Sequence, residues 1–164
     1  MRIERLDNYN ERRGVCNKIL RALPEWFGIE EAIEEYNVGV KEGEFFVAYD
    51  VGSNSNDGDD GMDKPIGFMS FTFNNEYTSE LYVTGVLKQY HNKGIGKNLL
   101  AEGERYLKEK GYKFLMVKTL GESHSDKNYA KTREFYIKMG FTPIQEINEI
   151  WGKENPCLIM VKNI

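Results

Sequence analysis

The chain has 164 residues, 40% of them hydrophobic and 13% aromatic, which suits one buried core and one domain spanning 1–164. Its 22 basic residues face 26 acidic ones; Asp50, Asp57, Asp59, Asp60 and Asp63 share one loop, and the remainder is nearly balanced, so no broad basic face for nucleic acid is expected. No apolar run is long enough for a signal peptide or a membrane span, and Cys16 and Cys157 are far apart without metal-ligating neighbours, so the expectation is a cytoplasmic protein with free buried thiols, no metal and no membrane partner.

In chain order, residues 2–6 make a short first strand. Residues 10–23 carry Val15, Ile19, Leu20 and Leu23 at helical intervals and stop at Pro24; residues 28–41 carry Ile29, Ala32, Ile33 and Tyr36 on one side and Glu30, Glu31, Glu34 and Glu35 on the other. Both read as helices. Strands follow at 44–50 and 65–73, joined by a loop at 51–64 whose Gly, Ser, Asn and Asp content predicts an exposed, mobile linker. Its aspartates lack the spacing and closing Glu of a calcium loop. Residues 79–87 form a further strand, rich in β-branched and aromatic residues, and a helix then presents Ile95, Leu99, Leu100, Tyr106 and Leu107 on one face. A strand at 113–120, a helix at 128–139 capped by Gly140, and two strands at 142–151 and 157–161 complete the chain. The order predicts an α/β fold with a mixed sheet of about seven strands and about four helices.

The connection from strand to helix at 86–98 reads V-L-K-Q-Y-H-N-K-G-I-G-K-N. The first turn of a helix leaves backbone N–H groups unpaired at the positive end of the macrodipole, so an anion can be held there by main chain alone. Gly94 and Gly96 permit close approach, Lys88, Lys93 and Lys97 add charge, and no acidic residue intervenes. A tight connection flanked by solvated lysines is the other reading of the same glycines. The Walker pattern fails at His91 and Asn98, and the dinucleotide fingerprint fails at Leu99.

The run His91-Asn92-Lys93-Gly94-Ile95-Gly96 resembles the pyrophosphate-binding motif R/Q-x-x-G-x-G/A of the GNAT N-acetyltransferase superfamily, with His91 in the Arg/Gln position. Downstream, residues 129–141, Y-A-K-T-R-E-F-Y-I-K-M-G-F, are similar to the family's helix ending F-Y-x-x-x-G-F. The element order also resembles the GNAT fold, a mixed sheet whose two central parallel strands splay apart.

What the resemblance implies is transfer of an acetyl group from acetyl-CoA, as co-substrate and without a metal, to a primary amine by direct attack in a ternary complex. It assigns the pantetheine arm to Val86 and neighbouring backbone, and the pyrophosphate to His91, Asn92, Lys93, Gly94, Ile95, Gly96 and Lys97. Gly85 is the expected place of a bulge, or else of close packing against a helix. Tyr136 matches the family tyrosine and becomes the candidate donor to the departing thiolate; a buried core aromatic is the alternative. Glu80, six residues before Val86, becomes the candidate base, or else a solvated strand-end Glu. The family often has Asn seven residues before its tyrosine; here that position is Tyr129, and Asn128, one place early, is either a cofactor contact or a helix N-cap.

The acceptor, a small-molecule or peptide amine, is not specified. Trp26, Phe27 and Trp151 are candidate pocket aromatics or core residues, and the glutamates at 30–35 favour a cationic acceptor if they face the site. Family likeness allows a homodimer through the C-terminal strands. Two other readings stand beside the enzyme: a regulatory module that binds acyl-CoA without turnover, and a protein-interaction domain.

Overall fold

A computed structural model describes residues 1–51 and 63–164; the expected mobile linker and its aspartates fall largely outside the described residues. The elements are β1 (Arg2–Arg5), α1 (Tyr9–Arg21), α2 (Glu30–Gly39), β2 (Glu44–Asp50), β3 (Lys64–Phe73), β4 (Thr78–Val86), a 3-10 turn (Lys88–Tyr90), α3 (Ile95–Glu109), β5 (Phe114–Leu120), α4 (Lys127–Lys138), β6 (Thr142–Ile147), α5 (Asn148–Trp151) and β7 (Cys157–Asn163). Hydrogen bonding orders the strands β1-β2-β3-β4-β5-β7-β6 in one seven-stranded sheet. The β4–β5 pair is parallel, and β1–β2, β2–β3, β5–β7 and β6–β7 are antiparallel, so the sheet is mixed as the element order predicted.

Five α-helices occur among the described residues, in keeping with the expected number of about four. The extra one, α5, is a single turn inside the stretch read as a strand to Trp151. The β6–β7 ladder ends at Ile147↔Cys157, so the chain must reverse between them, and a helical turn followed by Gly152 at φ 84° does this.

By contacts the chain divides into two compact units. The first comprises Met1–Phe71 and Val83–Gly103. Its core joins Cys16, Ile19 and Leu20 of α1 to Phe45 and Val47 of β2, Phe68, Met69 and Phe71 of β3, and Leu99 and Leu100 of α3, all at most 2% exposed. Phe45 and Phe68 stack with ring centroids 5.0 Å apart. Gly85 serves close packing: a Cβ there would lie 2.9 Å from Ile19 Cγ2 and 3.2 Å from Leu23 Cδ1. Arg12 is buried, and its guanidinium donates to the carbonyls of Leu6 at 2.7 Å and Gly43 at 2.9 Å, satisfying backbone that the turns leave unpaired.

The second unit comprises Thr72–Tyr82 and Glu104–Ile164. Its buried apolar residues include Leu107 of α3, Leu115 and Val117 of β5, Tyr136 of α4, Phe141, and Met160 of β7. The end of α4 follows the Gly140 expectation closely. Gly140 adopts φ 91°, its N–H donates to Ile137 carbonyl, the Phe141 N–H donates to Tyr136 carbonyl at 3.0 Å, and the Phe141 ring meets Tyr136 edge-on at 5.5 Å. Arg133, also buried, donates to the carbonyls of Leu120 and Gly121 and so ties α4 to the end of β5.

Candidate functional site

The partial splay appears as a short ladder: β4 pairs with β5 only from Thr78↔Phe114 to Leu81↔Val117, although β5 runs on to Leu120 beside β7. Past Leu81, β4 stays bonded on its β3 side. Thr84 Oγ1 donates to Phe68 carbonyl at 2.7 Å, and Leu87 N–H donates to Ile66 carbonyl at 2.9 Å. The C=O and N–H of one trans peptide point in opposite directions, so the Val86 carbonyl, which shares its peptide with the Leu87 N–H, faces away from β3. There it accepts a hydrogen bond from His91 Nε2 at 2.7 Å. A carbonyl can only accept, which fixes the proton on Nε2. The Val86 N–H shares that edge.

The turn after β4 is built from two left-handed residues, Asn92 at φ 59° and Gly94 at φ 78°. Asn tolerates that region, and Gly adopts it without a Cβ penalty; a Cβ at Gly94 would meet nothing within 4 Å. The Gly94 carbonyl accepts from Asn98 N–H at 3.0 Å, the first bond of α3, so Gly94 is the residue that caps the helix and it has no side chain to do so. The N–H groups of Ile95, Gly96 and Lys97 therefore form the open first turn, without an acidic residue. Ile95 anchors it: its side chain is buried and lies against Gly67 of β3.

Side chains from elsewhere in the first unit brace this turn. Trp26 meets His91 edge-on at 5.6 Å, and Glu25 pairs with Lys88 at 2.5 Å, which holds the Glu25 carboxyl below its ordinary range. Tyr90 donates its hydroxyl to Asp50 at 2.8 Å, and that bond raises the phenol's pKa. Lys93 lies over the Tyr90 ring at 5.1 Å. Of the three lysines counted toward an anion, Lys88 is thus offset by Glu25, and Lys97 stands exposed on the first turn. Glu25, Trp26 and Asp50 had no motif to mark them; their role comes from long-range packing.

The remaining candidates lie in the second unit. Glu80 is buried rather than solvated: Lys118 Nζ donates to its Oε2 at 3.1 Å and Asn74 Nδ2 donates to the same oxygen at 3.4 Å. Tyr136 is buried against Phe135 and Phe141. Asn128 is not the cap of α4; Asp126 is, accepting from the N–H groups of Asn128 at 2.7 Å and Tyr129 at 3.0 Å. Asn128 remains half-buried on the first turn. Phe27 packs edge-on to Tyr36 at 5.9 Å, and Trp151 is exposed. On α2, Glu30 and Glu34 are engaged by Arg21, while Glu30, Glu31, Glu34 and Glu35 line an open groove with Val38 and Gly39. No cluster of metal-ligating side chains occurs among the described residues, and no described helix is long and apolar enough to cross a membrane.

Comparison with known proteins gives this arrangement a family. Residues 41–143 match the model of the acetyltransferase (GNAT) domain. No curated protein sequence matches significantly. Among solved structures, aminoglycoside 6'-acetyltransferase type Ii superposes with a TM-score of 0.73 at 21% identity, over 99% of this chain and 97% of that one. An aminoglycoside 6'-N-acetyltransferase complexed with coenzyme A gives 0.73 at 18% identity, again over 99% and 97%. A GNAT family acetyltransferase from Elizabethkingia anophelis with acetyl-CoA bound gives 0.60 at 21% identity, over 87% and 88%. At these identities the structural likeness is one of fold, and the family rests on the domain match over more than half of the sequence: the chain belongs to the GNAT family of acetyl-CoA-dependent N-acetyltransferases.

Proposed function

We propose that residues 1–164 work as one domain that transfers the acetyl group of acetyl-CoA to a primary amine by direct attack in a ternary complex. The observation that carries this reading is the β4 terminus, where an edge released from β5 runs into a helix whose first three N–H groups lack both a capping side chain and an acidic neighbour. The free edge at Val86 suits the amides of a pantetheine arm, and the turn from His91 to Lys97 suits a pyrophosphate. Asn128 is assigned a polar contact to the same co-substrate.

In the reaction, the acceptor nitrogen attacks the thioester carbonyl; the C–N bond forms and the C–S bond breaks. Glu80 takes the proton that the nitrogen sheds, and the Tyr136 hydroxyl supplies one to the departing thiolate, regaining it from solvent. The aminoglycoside enzymes of the same fold make a polyamine-like sugar the first class to test, and the glutamates of α2 favour such a cationic acceptor if they face the site.

The test is thiol release from acetyl-CoA with three probe amines: a 2-deoxystreptamine aminoglycoside, a linear polyamine and a tetrapeptide with a free N-terminus. The expected result is amine-dependent release with at least one, and a Tyr136→Phe variant that loses turnover more than acetyl-CoA affinity. Tight acetyl-CoA binding without release for any amine would favour a regulatory acyl-CoA module instead.

A further inference from the structure

Glu80 and Lys118 meet where β4 and β5 part. The last rung of the ladder is Leu81↔Val117; Lys118 stands one residue beyond it and reaches diagonally to Glu80, whose own partner in register is Met116. The Glu80 side chain keeps only 10% of its surface exposed and that of Lys118 keeps 32%, so the pair is largely but not wholly withdrawn from water. Asn74, in the β3–β4 connection, adds a second donor and is itself fixed by a contact from Nδ2 to Met116 Sδ at 3.0 Å.

Both donors converge on one oxygen. Lys118 Nζ and Asn74 Nδ2 approach Oε2, at 3.1 and 3.4 Å, and no described residue donates to Oε1. The Glu80 side chain as a whole keeps a small part of its surface in contact with solvent. A carboxylate offers about four lone-pair positions, and with both donors placed on Oε2 the lone pairs of Oε1 are the ones left for an incoming proton. An arginine at 118 would tend to grip both oxygens through its fork, whereas the lysine ammonium is a point donor that holds one.

Resting on the reading of Glu80 as the base, we infer that Lys118 is a positioning residue that pins Oε2 and thereby presents Oε1 to the proton leaving the acceptor amine. The proton passes from the amine nitrogen to Oε1 and from there to solvent; Lys118 keeps its own proton throughout.

The experiment combines Lys118→Met, Glu80→Gln and the double variant with Lys118→Cys before and after alkylation by 2-bromoethylamine, which rebuilds a side-chain ammonium. Cys16 and Cys157 are buried and leave position 118 as the reactive thiol. Turnover is read with the fastest of the three probe amines, acetyl-CoA affinity by calorimetry and integrity by melting temperature. Expected is a fall in kcat of about tenfold or more for Lys118→Met with acetyl-CoA affinity kept within about twofold, no further loss when it is added to Glu80→Gln, and recovery of most of the rate on alkylation. Losses that multiply in the double variant, wild-type kcat in Lys118→Met, or alkylation without recovery would each overturn the role of Lys118 while leaving Glu80 as base. Wild-type kcat in Glu80→Gln would overturn the base assignment itself, and absence of turnover with all three amines would overturn the transferase reading beneath both.

Discussion

His91 donates its Nε2–H to the Val86 carbonyl at 2.7 Å, closing the five-residue span between the end of β4 and the turn before α3. The contact occupies the acceptor of Val86 and leaves its N–H for a ligand, so the histidine shapes both parts of the proposed co-substrate site at once. It also explains how His can stand where the family motif has Arg or Gln: each of the three presents an N–H donor at the end of its side chain. Loss of one such bond is worth about 1 kcal/mol, so His91→Ala is expected to weaken acetyl-CoA binding by about fivefold to tenfold, with His91→Gln closer to wild type. Calorimetry on the three proteins checks this; equal affinity in His91→Ala would remove the histidine from the site.

Gly94 offers a separation of folding from binding. Asp tolerates the left-handed region at φ 78°, its side chain would enter open space, and its charge suits a helix N-terminus. The same side chain would fill and repel an anion's position. Gly94→Asp should keep its melting temperature within about 2 °C and lose at least about tenfold in acetyl-CoA affinity. Unchanged affinity in that folded variant would contradict the pyrophosphate assignment.

Two helical glycines should respond in opposite directions to alanine. A methyl at Gly14 in α1 would meet nothing within 4 Å, so Gly14→Ala should gain about 0.5–1 kcal/mol from helix propensity. At Gly103 in α3 the methyl would come within 2.2 Å of Phe71 Cζ, and Phe71 is fully buried and set edge-on to Phe46. Gly103→Ala should cost about 1–3 kcal/mol by overpacking, visible as a fall in melting temperature of several degrees.

Alkaline stability should depend on Cys16. Burial pushes its thiol from an ordinary 9.0 up to about 12, so the folded state keeps a proton that the unfolded chain releases. The contribution is whole below pH 9.0 and is lost as pH rises toward about 12, at up to about 1.4 kcal/mol per pH unit. Urea unfolding at several alkaline pH values should show a steeper decline for wild type than for Cys16→Ala; parallel declines would contradict it.

Local signals carried most of the architecture. Alternation and helical spacing gave both edges of β2 and bounds within one or two residues for β3 and β4, and Gly140 marked a real helix end because a single backbone conformation there satisfies two carbonyls. The turn at 91–97 was legible for the same reason: helix starts and left-handed glycines are written in adjacent residues. What sequence could not supply was pairing at long range. Lys118 looked like any polar residue alternating in a strand, and Glu25, Trp26 and Asp50 gained their roles only when the chain brought them to Lys88, His91 and Tyr90. The α5 turn was hidden because apolar Ile150 and Trp151 continue the strand pattern past the last rung of the β6–β7 ladder.

The most direct measurement is calorimetric titration of the purified protein with acetyl-CoA, with ATP and NAD as controls. Saturable binding of acetyl-CoA, with ATP and NAD much weaker, is the expected result. Folded protein that binds none of the three, or binds all three alike, would contradict the assignment of the β4 edge and the His91–Lys97 turn to acetyl-CoA.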